Sequence, residues 1–385
     1  LATVPVAGAG RFPVHRVYCV GRNYAEHAQE MGHTGREPPF FFLKPADTVV
    51  PVPAGETGTM AYPTLTANLH LMLVSFYRPS GARRAILLER SAFPSDRHAV
   101  ESQVRFHGLD PARDLIEIAP RDGEDLLRTE DIVATVEREG ARIATILLPG
   151  VQYLTGQLLD IEAITAAGRK AGCVVGWDLA HAVGNVPVAL HDAGADFAVW
   201  CNYKYLNGGP GAVGGAFVHA RHATDTSLPR FAGWWGHDKA TRFLMAPEFE
   251  PTPGAEGWQL SNPPILAMAP LAASLEHFAA AGLPALRQKS VALTGYFERL
   301  VQARLAGRVE IITPSDPQAR GAALSLRLVG LSRDRARAVF DGLRQRSILP
   351  DWREPDVIRA APVPFYNRFD DVWRCVDALH AELAA

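Results

Sequence analysis

Four short apolar runs, at residues 86–88, 143–148, 173–177 and 197–201, constrain this chain more than any other feature. Each has the length of a buried strand, and helix-periodic segments at 131–140 and 160–171 lie between them. Strand and helix in alternation predict an α/β architecture, a mostly parallel sheet covered on both faces. Beyond Pro264 the pattern changes. Helical stretches at 265–281 and 286–305, strand-like runs at 309–312 and 323–328, and further helices suit a smaller α+β domain. The sequence contains no internal repeat and no low-complexity segment.

Two of the runs end in reactive side chains. The run at 197–201 leads through Asn202 and Tyr203 to Lys204, and Gly208, Gly209 and Gly211 follow closely, letting the backbone turn tightly past the lysine. Taken alone, Lys204 is either a snorkelling surface cation or a nucleophile with a depressed pKa. The run at 173–177 ends at Asp178, which by itself would serve as well as a cap for the next helix. One buried strand ending in Asp and another ending in Lys are what a pyridoxal phosphate enzyme requires. The lysine bonds the cofactor, and the carboxylate keeps the pyridine nitrogen protonated so that the ring acts as an electron sink. The pairing favours cofactor binding at both positions.

Composition narrows the alternatives. The 385 residues, ample for two domains, carry 39 Lys and Arg against 41 Asp and Glu, without a basic stripe for nucleic acid or a charge run for a disordered tail. Cys19, Cys173, Cys201 and Cys375 lie far apart, without metal-ligand spacing, so buried thiols in a reducing cytosol are expected. No apolar segment is long enough to span a bilayer. The opening residues lack the basic flank and apolar core of a signal peptide, and a first residue other than Met points to an N-terminus further upstream.

Residues 1–63 differ in character from the rest. A strand over 14–20, a short helix over 23–31 and a strand over 40–45 are expected, then a loop rich in Pro and Gly at 51–58. The stretch from Tyr18 to Met31, with residues 38–47, resembles the N-terminal part of the fumarylacetoacetate hydrolase family. That resemblance implies a general base and acid dyad at His27 and Glu30, which share one helix face. The family also needs carboxylates to hold Mg²⁺ after a Tyr-Pro-x-Leu-Thr-x-x-Leu-His stretch. Residues 62–70 carry that stretch, but Leu71, Met72 and Leu73 follow it, so no metal site is expected and a diketo-acid hydrolase is disfavoured.

From about Leu65 onward the chain resembles the kynureninase family. The likeness is carried by residues 65–79, Ala-Phe-Pro-Ser-Asp-Arg at 92–97, Pro-Gly-Val-Gln-Tyr at 149–153, residues 178–185 and Tyr-Lys-Tyr-Leu-Asn at 203–207. Gly-Trp-Trp-Gly-His at 233–237, Leu-Ser-Asn-Pro-Pro at 260–264 and residues 359–367 complete it. The resemblance implies the aminotransferase-like fold of pyridoxal-phosphate enzymes and three parts: a foreign fragment at 1–64, a cofactor-binding large domain at 65–264 and a small domain at 265–385. It implies hydrolysis of L-kynurenine to anthranilate and L-alanine in tryptophan catabolism, in a cytoplasmic homodimer with shared active sites.

Roles carry over position by position. Lys204 would bond the cofactor and move the substrate α-proton, and Asp178 would pair with the pyridinium nitrogen. Leu65, Thr66, Ser95, Asp96 and Tyr203 would surround the phosphate and its pocket. Phe93 would stack on the ring, unless it is plain core. His181 would either support that end of the site or be a satisfied buried histidine. Trp234 and Asn262 would reach into the site of a neighbouring subunit, and Arg359 would clamp the substrate carboxylate. Two departures from the family stand out. A longer family segment ahead of Leu65, bearing a substrate-pocket histidine, is replaced here, and Leu154 stands where the family usually has a tyrosine.

Overall fold

The apolar runs are adjacent strands because both of their faces are buried. In the computed structural model, residues 65–384 are described throughout, and four strands before them by their backbone: β1 (Thr3–Val6), β2 (Gly10–Pro13), β3 (Val17–Gly21) and β4 (Phe40–Lys44). β1 pairs antiparallel with β2, and β3 with β4. The expected strands at 14–20 and 40–45 thus fall on β3 and β4, whereas the expected helix at 23–31, with His27 and Glu30, lies outside the described residues. The chain divides into two compact units, one holding these strands with His237–Glu250, the other residues 65–236 and 251–384. In the first unit the Asp238 N–H donates to the Glu250 carbonyl at 2.7 Å.

The second unit is built on a six-stranded sheet of β5 (Ala85–Glu89), β6 (Leu115–Ile118), β7 (Ile143–Pro149), β8 (Val174–Asp178), β9 (Phe197–Cys201) and β10 (Gly214–Val218). Their spatial order is β10-β9-β8-β7-β5-β6, and every neighbouring pair is parallel except β9 with β10. Along each strand, alternate residues point to opposite faces. Ile86, Leu88, Leu147 and Val199 pack with Leu69, Leu73 and Phe76 of α1 (Leu65–Phe76) and Val100 and Val104 of α2 (Pro94–Phe106). Leu87, Ile146, Leu148 and Val175 pack on the other face with Ile132 and Val136 of α3 (Thr129–Glu139) and Ile164 of α4 (Ile161–Lys170). A strand covered on both sides has no polar face, which is why these segments read as unbroken apolar runs.

β6 and β10 escape that reading for physical reasons. Both lie at the sheet edges, where β6 carries Glu117 and β10 opens with two glycines, so neither has a continuous apolar signature.

Beyond the large sheet, α5 (Ile265–Ala281) buries only Leu271 and leaves Leu266 88 % exposed. α6 (Leu283–Arg304), α7 (Arg333–Gln345) and α8 (Phe369–Ala384) pack on a four-stranded antiparallel sheet. Its strands are β11 (Val309–Ile311), β12 (Leu324–Leu328), β13 (Asp351–Arg353) and β14 (Val357–Ala360), in the order β11-β12-β14-β13. The Asn185 side chain joins this part to the large sheet, accepting from the Ala322 N–H at 2.9 Å and donating to the His181 carbonyl at 2.8 Å. No single helix among the described residues is long and apolar enough to cross a membrane.

Candidate active site

The strand order places the site. From β5 the chain goes to β6 on one side, then crosses back to β7 on the other, which opens a crevice beyond the carboxyl ends of β5 and β7. Open parallel sheets bind ligands at such a switch point. A cavity of about 390 Å³ lies there, walled by Glu89 at the end of β5, Pro149 at the end of β7 and Asp178 at the end of β8. It collects Leu65, Thr66, Phe93, Ser95, Asp96, Asp178, His181, Tyr203, Lys204 and Arg359 from five regions of the sequence.

Lys204 arrives on a turn that the sequence pins tightly. The buried Asn202 side chain accepts from the Trp200 indole N–H and donates to the Val213 carbonyl, both at 2.8 Å, while its own carbonyl accepts from the Gly208 N–H. Gly209 and Gly211 then take φ of +77° and +78°, values that side chains with a Cβ rarely adopt. The Lys204 ammonium Nζ comes to rest 3.2 Å from His181 Nε2 and 5.8 Å from the centre of the Phe93 ring. Burial and the charges of Lys204, Arg359 and Arg353 hold the His181 pKa well below its usual value, so the imidazole is neutral and accepts from the ammonium.

Opposite the lysine lies a carboxylate wall. Asp178 Oδ1 accepts the Ala180 N–H at 2.8 Å. Burial raises the pKa of both Asp178 and Asp96, and the two lie close enough that Asp96 holds a proton toward Asp178 while Lys204 favours the Asp178 charge. Asp96 Oδ1 is buried without any hydrogen-bond partner. Glu89, 4 % exposed, is pushed up to about 7 by burial, although the Gln152 amide donates to it at 3.2 Å.

At the other end, α1 and α2 both point their N-termini into the cavity. Thr66 Oγ1 and Ser95 Oγ, in their first turns, stand 2.7 Å apart. Two hydroxyls at the starts of two helices, whose N-termini favour negative charge, form an anion cradle. Phe93 caps α2 and presents a 39 % exposed ring, edge-on to Tyr153 at 5.2 Å. Arg359, on β14, is anchored by the Tyr153 carbonyl and by Asp351 Oδ2 at 2.5 Å.

Four participants escaped the sequence reading: Glu89, Gln152, Asp351 and Arg353. Glu89 carries the same signal as Asp178, a carboxylate closing an apolar run. Asp351 and Arg353 sit on a three-residue edge strand with no periodic signal. Trp234 and Asn262 do not line this cavity, and both are exposed. Leu154 turns its backbone N–H to Gln152 Oε1 at 2.6 Å and does not line the cavity either. Among the described residues no cluster of His, Cys, Asp and Glu could hold a metal ion, and Cys173, Cys201 and Cys375 are free.

The donor set fits pyridoxal phosphate. The buried Asp178 carboxylate, a lysine across the cavity, an aromatic face and an anion cradle match the ring nitrogen, aldehyde, ring and phosphate in turn. The fold is that of the aminotransferase-like pyridoxal-phosphate enzymes. It is similar to a cysteine desulfurase from Thermococcus onnurineus NA1, with a TM-score of 0.68 and 17 % identity over 83 % of this chain and 78 % of that one. It is similar also to the alanine–glyoxylate aminotransferase of Nostoc sp., with a TM-score of 0.61 and 17 % identity over 84 % and 80 %.

Sequence relatives are nearer. The kynureninase of Stenotrophomonas maltophilia (strain K279a) is 59 % identical over 322 residues, 84 % of this chain and 76 % of that protein. That of Xanthomonas campestris pv. campestris (strain 8004) is 59 % identical over 326 residues, 85 % and 76 %. The kynureninase C-terminal domain matches residues 286–379. The chain belongs to the kynureninase family.

Proposed function

We propose that the switch-point cavity hydrolyses L-kynurenine to anthranilate and L-alanine with pyridoxal 5'-phosphate as cofactor. The observation that carries this reading is the Lys204 ammonium set against neutral His181, inside a cavity that also holds Asp178 and Arg359. Membership of the kynureninase family supports the substrate.

When bound, pyridoxal phosphate supplies an electron sink next to the substrate α-carbon. Lys204 holds the cofactor, then moves a proton at that carbon. Asp178 keeps the ring nitrogen protonated, with Asp96 beside it as a neutral acid. Thr66, Ser95 and the N-terminal ends of α1 and α2 would bind the phosphate, which Leu65 and Tyr203 border. Phe93 orients the ring by its face. Arg359 clamps the α-carboxylate with the N–H groups that Tyr153 and Asp351 leave free. Water adds to the γ-carbonyl, the Cβ–Cγ bond breaks with its electron pair left on Cβ, a proton joins Cβ to make the alanine methyl, and the aryl fragment leaves as anthranilate. The test is to mix the purified chain with cofactor and L-kynurenine and follow anthranilate fluorescence. Release of anthranilate with an equal amount of alanine is expected, and no release overturns the reading.

The same reading makes the protein a cytoplasmic homodimer in which Trp234 and Asn262 complete the neighbour's site. The exposed apolar face of α5 supports such a contact. Residues 65–264 then act as the cofactor-binding domain and 265–385 as the small domain. On motif alone, residues 1–64 are a fragment like the fumarylacetoacetate hydrolases. Replacing them with the N-terminal segment of a family member and comparing kcat/KM tests whether they contribute to the site.

A further inference from the structure

We infer that Arg353 is a second anion-binding arginine of this cavity, recognising the aryl-carboxylate end of the reaction while Arg359 recognises the amino-acid end. The inference rests on the kynurenine reading. β13 pairs antiparallel with β14 so that Asp351 stands directly opposite Arg359. Residues two apart on a strand share a face, so Asp351, Arg353 and Arg359 all project from one side of the sheet. Both arginines line the cavity that contains Lys204.

The partners of Arg353 leave part of it unused. Its Nη2 donates to Asp351 Oδ2 at 2.6 Å, the same oxygen that Arg359 Nη2 reaches at 2.5 Å. One carboxylate thus serves two guanidinium groups, and the wall keeps an excess positive charge. Arg353 Nε is buried without an acceptor, and Nη1 makes no hydrogen bond among the described residues. The guanidinium, 27 % exposed, therefore keeps donor capacity at Nη1 for a ligand oxygen. The guanidinium lies 5.5 Å from the centre of the Tyr153 ring, and that ring stands edge-on to Phe93. Its cation is therefore held at the aromatic end of the cavity. Hydrolysis turns the uncharged γ-carbonyl oxygen into an anionic carboxylate oxygen. A fixed donor for that developing charge acts on the bond-breaking step more than on substrate capture.

The experiment compares Arg353→Met and Arg353→Lys with the unmodified holoenzyme. Equilibrium binding of anthranilate and of L-alanine is measured by calorimetry, alongside kcat and KM for kynurenine, with the cofactor absorbance band confirming loading. Arg353→Met is expected to weaken anthranilate roughly tenfold or more and to lower kcat by about 10²-fold, leaving L-alanine within about twofold. Arg353→Lys is expected to recover part of the anthranilate affinity. Equal loss for anthranilate and alanine would mean that Arg353 only props Asp351 and Arg359, and unchanged anthranilate binding would overturn the inference as well. If the unmodified holoenzyme releases no anthranilate from kynurenine, the functional reading itself fails, an outcome visible before any variant is made.

Discussion

The two walls of the cavity are built in opposite ways. The cofactor wall stands on the carboxyl ends of β5, β7 and β8, interior strands of a sheet covered on both faces. Its acids, Glu89, Asp96 and Asp178, are buried and their pKa values raised. The substrate wall stands on β13 and β14 at the rim of a small antiparallel sheet, and Asp351 there is 44 % exposed. One wall suppresses charge by excluding water, and the other pairs charges that water still reaches. Substitutions on the first should therefore act on chemistry and stability, and at Arg359 on the second chiefly on substrate binding.

The largest effect is expected at Lys204. Lys204→Ala should remove all turnover and the visible band that forms on adding cofactor. Lys170, an exposed residue at the end of α4, is too poorly placed to substitute. Borohydride reduction and peptide mapping provide the check, and label on another lysine would break the assignment. Next comes Asp178→Asn, which should bind cofactor yet lose most of kcat, because a neutral amide cannot hold the ring proton. Near-normal turnover would mean that Asp96 can carry the role alone. On the other wall, Arg359→Met should raise KM for kynurenine by about 10²-fold, as loss of a bidentate charged contact does, with cofactor absorbance unchanged. A fall in kcat with constant KM would blur the distinction between the walls.

The same contrast explains what could be read from the sequence. Strands β5, β7, β8 and β9 announce themselves as apolar runs, and three of them end in or just before Glu89, Asp178 and Lys204. A buried strand has one composition, and a charged residue at its end is conspicuous. Thr66, Ser95, Phe93 and Arg359 became visible only through likeness to a family, since a hydroxyl at a helix start or an arginine before two alanines is ordinary by itself. Asp351 and Arg353 alternate with Trp352 on a strand three residues long, too short for any period to show. Glu89 is legible by the rule that finds Asp178, a carboxylate closing an apolar run.

The smallest effect concerns stability, and Glu89 on the cofactor wall sharpens the comparison. Glu89 ionises at about 7 in the folded chain, against 4.5 for an ordinary glutamate, because burial opposes its charge. Below about pH 4.5 it is neutral in both states, and folding incurs no cost. Between 4.5 and 7 the unfolded chain ionises it while the folded chain does not, so stability falls as the pH rises. Above 7 the cost levels off at about 3 kcal/mol, the free-energy equivalent of that displacement. Glu89→Gln keeps an oxygen for the Gln152 amide and removes the titration. Its melting temperature should exceed that of the unmodified chain at pH 8, and the two should converge near pH 4.5. Calorimetric melting of both proteins across this range decides the matter. Equal melting temperatures at pH 8 would mean that burial does not oppose the Glu89 charge.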